Sequence, residues 1–186
     1  MMLAGGCGSS SFLSQSPPST PETPLQIKGF EAFVTRAGNP EYILLADEAL
    51  LKEKRGIVEM KNIHLTFFKE DNNEKSGTLV AQKGIYYVNS APSLKRRKND
   101  VDLKGDVVFN TDDGTILKTP EVHYNSETEK IYSNAGFVKK RVGKDQTIII
   151  SGKSFITDKN LRHWEDKGAE MSFETHQGPT EKENKS

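Results

Sequence analysis

One unit of sequence recurs four times between residues 44 and 168, and few folds are open to a chain built that way. The unit opens on two apolar or long residues and a small one. Leu44-Leu45-Ala46-Asp47-Glu48-Ala49-Leu50 aligns with Leu79-Val80-Ala81-Gln82-Lys83-Gly84-Ile85, with Leu117-Lys118-Thr119-Pro120-Glu121-Val122-His123, and with Ile149-Ile150-Ser151-Gly152-Lys153-Ser154-Phe155. Leu51, Tyr86, Tyr124 and Ile156 follow. The second half repeats more loosely, as Val58-Glu59-Met60-Lys61-Asn62, Val101-Asp102-Leu103-Lys104-Gly105, Ile131-Tyr132-Ser133-Asn134-Ala135 and Trp164-Glu165-Asp166-Lys167-Gly168. Small residues mark the same place each time. Gly or Asn inside a strand signals a bulge or bend, so each strand is expected to kink there and re-aim its faces.

The period within the units is two, the spacing of half-buried strands. Val101, Leu103, Gly105, Val107 and Phe109 alternate with Asp102, Lys104, Asp106, Val108 and Asn110, giving one apolar and one mainly charged face. Asp112-Asp113-Gly114 then turns the chain back into Thr115-Ile116-Leu117-Lys118-Thr119, and further turns fit residues 72–77, 125–127 and 143–145. Local propensity alone offers a helix from Asn39-Pro40-Glu41 to Arg55 with Gly56 as its stop. The repeat places a strand there, and tertiary context commonly overrides propensity. Units of this kind cannot each bury a face alone, so they stack into an all-β, jellyroll-like sandwich with a common interior. With 34% hydrophobic residues, that interior is expected to be incompletely filled, leaving a groove lined by Val, Ile and Phe.

Composition closes several other readings. The 186 residues carry 26 Lys+Arg against 26 Asp+Glu, without the cationic excess on which nucleic-acid affinity rests. One cysteine allows no intrachain disulfide, and His64, His123, His163 and His176 lack metal-site spacing, so no metal and no cofactor is expected. Gly152-Lys153-Ser154 resembles the end of a phosphate-binding loop, but Thr147 stands where its first glycine belongs. No two carboxylates are placed by sequence as a catalytic pair, and the chain reads as a non-enzyme. Lys95-Arg96-Arg97-Lys98 reads as a solvated loop or as a patch attracted to anionic headgroups, and Trp164 as a core or sheet-end residue.

The two ends read differently from the middle. Small residues precede Cys7 as in the cleavage region of a lipoprotein signal, without the apolar stretch that such a signal needs, and a Pro-, Ser- and Thr-rich tract follows to Pro24. The expected organisation is a lipoprotein-like N-terminus and flexible tether over 1–24 with Cys7 as the lipidation candidate, a β-domain over 25–174, and a disordered tail over 175–186.

From residue 26 to 174 the chain resembles the LptC family, the periplasmic subunit of the lipopolysaccharide export machine, related in fold to its LptA bridge and to the organic solvent tolerance domain. Leu45-Ala46, Leu79-Val80-Ala81 with Tyr86-Tyr87, and above all Val101-Asp102-Leu103-Lys104-Gly105-Asp106-Val107 carry the resemblance. The last is similar to the family's recurring strand with its Gly-Asp-Val centre, and the segments at Tyr124 and Ile150-Ser151-Gly152 continue the family's order. The resemblance implies a twisted open β-jellyroll whose interior binds acyl chains. It also implies lipopolysaccharide as cargo, an inner-membrane ABC transporter as its source and an LptA-like bridge, joined by edge-strand pairing, as its receiver. The implied location is the periplasm, anchored to the inner membrane. Family members carry an N-terminal membrane helix that this sequence does not show, which leaves a lipidated Cys7 or a missing N-terminal segment as the anchor. The expected groove lining is Leu103, Val107, Phe109, Tyr124, Ile131, Phe137, Ile148, Ile150 and Phe155, subject to register, because a slip of one residue turns a side chain to the other face. Two alternatives stay open: a soluble LptA-like bridge, and a polysaccharide-binding or scaffolding β-repeat module with exposed aromatics and no lipid uptake.

Overall fold

Every long strand of this protein bends once, and the bends line up across the sheet. The computed structural model describes residues 23–175; Cys7, the proposed tether up to residue 22 and the end beyond 175 lie outside the described residues. The strands are β1 (Leu25–Arg36), β2 (Asn39–Lys52), β3 (Ile57–Phe68), β4 (Lys75–Tyr87), β5 (Val101–Thr111), β6 (Thr115–Asn125), β7 (Lys130–Ser133), β8 (Phe137–Val142), β9 (Gln146–Gly152), β10 (Ser154–Asp158), β11 (Trp164–Lys167) and β12 (Glu170–Thr175). All pairings are antiparallel and the sheet stays open, with β1 pairing only β2, β11 only β10, and β12 only β9. The segment with helical propensity is strand β2, followed by a single 3-10 turn at Glu53–Arg55, because its neighbours β1 and β3 take up its backbone hydrogen bonds.

The bend is visible in the pairing. Lys28 pairs with Glu48 and Phe30 with Ala46, passing over Gly29 and Asp47. The same skip crosses Asn62 between β2 and β3, Gln82 between β3 and β4, and Gly105-Asp106 opposite Pro120 between β5 and β6. Gly29, Asn62, Gly105 and Asp106 all have positive φ, at 69°, 53°, 80° and 48°. On passing the crease, the buried positions change parity. Tyr42, Leu44 and Ala46 are buried before Asp47 and Ala49 after it; Val58 and Met60 before Asn62, and Ile63, Leu65 and Phe67 after it.

Past Pro120, β6 exchanges partners: residues 115–118 pair with β8 and 123–125 with β7. The outer strands are therefore cut in two, β7 from β8, β9 from β10 and β11 from β12. The crease divides the sheet into two layers. Layer I holds β8, β9, β12 and residues 30–36, 39–46, 63–68, 75–81, 107–111 and 115–119. Layer II holds β7, β10, β11 and the remaining halves of the long strands.

The layers fold onto each other through their inner faces. Tyr42 of layer I meets Tyr124 of layer II edge-on at 5.6 Å, and Phe67 lies 5.0 Å from the same ring. Tyr42, Leu44, Leu65, Phe67, Leu79, Leu103, Phe109, Leu117, Tyr124 and Ile131 are almost wholly enclosed, and they form one cluster. Each such side chain contributes roughly 1.5–3 kcal/mol on burial.

Candidate functional site

The sandwich is sealed at its rim by charge. Glu41, buried near the β1–β2 turn, accepts a hydrogen bond from the Tyr124 hydroxyl and pairs with Arg36 at 3.3 Å. Arg36 Nε lies 3.0 Å from Glu129, and the buried Lys159 joins Glu129 at 2.9 Å to Glu70 at 3.4 Å. Layers I and II are tied together there, with the Tyr42 hydroxyl donating to the Asn99 carbonyl at 2.6 Å.

The side formed by the last strands is different. Pairing sets Leu117, Lys139, Ile150 and Met171 in one row on the inner face of layer I, and Thr115, Arg141, Ile148 and Phe173 in the next. Leu117 is buried and Ile150 half-buried, whereas Met171 is 59% and Phe173 58% exposed. Facing them from layer II, Trp164 stacks on Phe155 at 4.8 Å, and Phe137 of layer I stands edge-on to both rings at 5.1 and 5.3 Å. Lys139 Nζ reaches across to 4.3 Å above the Trp164 ring, and the Trp164 indole N–H donates to Asp166 at 2.7 Å. Burial holds the Lys139 ammonium below the usual lysine range. This open side combines an apolar inner face with one half-buried cation.

The nine residues expected to line a groove divide between these environments. Leu103, Val107, Phe109, Tyr124, Ile131, Phe137 and Phe155 are packed in the core cluster. Ile150 is half-buried against that cluster, and Ile148, also half-buried, is its neighbour on the open side. Lys139, Met171 and Phe173 complete the open side and were not read from sequence. The alternation Met171-Ser172-Phe173-Glu174 was the available signal, but a short amphipathic run beside a polar end has no face until its partner strand is known. Trp164 is a sheet-end residue, as its pattern indicated, and also a wall of the opening.

On the outer face of layer II, the basic loop is largely absorbed into the structure. Arg96 turns inward, donating to both Asp102 oxygens at 2.8 and 3.0 Å, and its guanidinium approaches His123 Nδ1 at 2.7 Å and the Tyr132 hydroxyl at 3.2 Å. Tyr87 donates to Asp102 at 2.8 Å and its hydroxyl is pushed up to about 12, first by burial and then by that carboxylate. His123 is thus a half-buried member of a polar network, not the exposed strand residue its position indicated. Arg97 pairs with Glu127 at 2.8 Å, which leaves Lys95 and Lys98 as the solvated cations of the loop. Beside the network, a cavity of about 780 Å³ has Leu50 and Ile85 on its floor, with Lys61, Lys83, Lys104, Glu48 and Glu59 around it; none of the nine expected lining residues reaches it. Among the described residues no group of His, Cys, Asp and Glu is placed to hold a metal ion, and no helix is long and apolar enough to cross a membrane.

The fold is thus a creased, open antiparallel jellyroll with a closed polar rim and an open side whose inner face is apolar. The family model described as lipopolysaccharide-assembly, LptC-related, matches residues 8–143, and the chain belongs to that family. Its role accordingly lies in lipopolysaccharide transport, and the family is periplasmic and associated with the inner membrane. A search of the curated proteins found no match.

Proposed function

We propose that this chain accepts lipopolysaccharide from an inner-membrane ABC transporter, holds its acyl chains between the two layers at the open side, and passes it to an LptA-like bridge protein. The observation that carries this reading is the pair Met171 and Phe173, large apolar side chains on the inner face that stay more than half exposed. Each methylene of a chain that leaves water against them gains roughly 0.8 kcal/mol, so affinity needs no catalytic group. Ile148 and Ile150 continue the surface inward to Phe137 and Phe155, and the buried Val107, Phe109 and Leu103 lie deeper along the same interior. Edge strands β1 and β12 each pair on one side only, and an unpaired strand edge is what β-augmentation by a neighbouring jellyroll uses. Energy for transfer comes from the transporter. The anchor is a lipidated Cys7 or an N-terminal segment.

A charge on the inner face tests the binding surface. Purified Met171→Glu and Phe173→Glu should lose capture of lipopolysaccharide in a pull-down, while Ser172→Glu, on the opposite face of the same strand, should retain it. Equal capture by all three would reject the open side as the site.

A further inference from the structure

Strand β8 carries three consecutive cations that face three situations. Lys140, on the outer face, lies 3.8 Å from Glu174, and the largely exposed Arg141 lies 3.5 Å from Asp113. Lys139, on the inner face, makes no ion pair with any described carboxylate; Asp113, Asp158 and Asp166 act on it only from beyond ion-pair distance. Its neighbours in the cross-strand row are Leu117 and Ile150, and its ammonium rests on the Trp164 ring. A half-buried ammonium with no carboxylate at ion-pair distance keeps part of its desolvation cost, which a ring face and more distant carboxylates offset only in part. An anion entering from the open side would have room to pair with it at close range.

The chemistry of that anion follows from the surroundings. An ammonium presents a compact charge with N–H donors and suits an oxyanion. A free inorganic anion would have to leave water for a place walled by Ile150, Phe137 and Trp164, with no apolar burial to offset the loss. A phosphate attached to an acyl chain brings that burial with it. Resting on the reading of the open side as the acyl-chain site, we propose that Lys139 is the residue that recognises a lipid-borne phosphate there, with Trp164 holding its ammonium in place.

Trp164 is the only tryptophan in the chain, so its emission reports on this place alone. The full chain would be titrated with myristoyl lysophosphatidic acid and with monomyristoylglycerol, which has the same chain without the phosphate, and affinities taken from midpoints rather than amplitudes. The phosphate lipid should bind the wild type roughly tenfold or more tightly than the neutral lipid, the range of a charge-assisted hydrogen bond. Lys139→Met should abolish that preference by weakening the phosphate lipid alone, and Lys139→Arg should keep it. Inorganic phosphate alone should leave the emission unchanged. Equal affinities in the wild type, or a preference that survives Lys139→Met, would overturn phosphate recognition by Lys139 while leaving the acyl-chain site standing. A response to inorganic phosphate matching that to the lipid would overturn the lipid-borne reading. Failure of both lipids to move the emission would overturn the acyl-chain site and the proposal together.

Discussion

Asp102 stays ionised although burial opposes its charge. Desolvation pushes its carboxyl up, but hydrogen bonds from His123, Arg96 and Tyr87 outweigh it and hold the group below the usual carboxylate range. A carboxyl whose folded-state value is depressed contributes stability above its unfolded value, and that contribution is lost as pH falls through the folded one. Asp113, Asp158 and Glu129 are depressed as well, so the protein should lose stability as the pH drops below about 4. Asp102→Asn should be less stable than the wild type near neutral pH and should show a shallower loss on acidification, read as urea midpoints between about pH 6 and pH 3. Little of this was legible in the sequence. Asp102 was identifiable as the polar partner in an alternating strand, but Arg96 reaches it from a loop and His123 from the next strand, and only the register brings the three together.

At the scale of the element, the crease is what turns a meander into a sandwich. Gly105 sits in it at φ 80°, and a Cβ there would stand 2.8 Å from Gln82 Oε1 and 3.1 Å from Gln82 Cβ. Gly105→Ala should therefore cost about 1–3 kcal/mol, measured by urea denaturation, through both the backbone conformation and the contact. Asn62 and Gly105 could be read as bend positions from the repeat because their residue types tolerate positive φ. Asp47, Gln82 and Pro120 also lie on the crease, at the fourth position of the unit, and were not readable as such. These three share no chemistry. Each is placed by the bend of the strand opposite. The strand assignment of residues 39–52 succeeded for a related reason, because a pattern repeated in the neighbouring strands carries more information than one segment's helix propensity.

For the molecule as a whole, the two ends of the interior are built to opposite rules. Arg36, Glu41, Glu129 and Lys159 close one rim with paired charges, and the open side leaves Met171 and Phe173 uncovered on the inner face. From the sequence, an incompletely filled interior with a groove between the sheets is expected. Of the residues expected to line it, Leu103, Val107, Phe109, Tyr124 and Ile131 share the core cluster with Tyr42 and Phe67, aromatics whose meeting with Tyr124 depends on the fold of the sheet at the crease, while Ile148 and Ile150 stay half-buried at the open side. On the inner face of the last strands Met171 and Phe173 stay exposed, and β1 and β12 each pair on one side only. Photo-crosslinking in a lipopolysaccharide-exporting cell tests the central claim most directly, with the reactive residue at Phe173 and, on the opposite face, at Ser172. Lipopolysaccharide adducts at Phe173 and not at Ser172 are the predicted result; equal adducts at both, or none at either with the protein folded and abundant, would contradict the account.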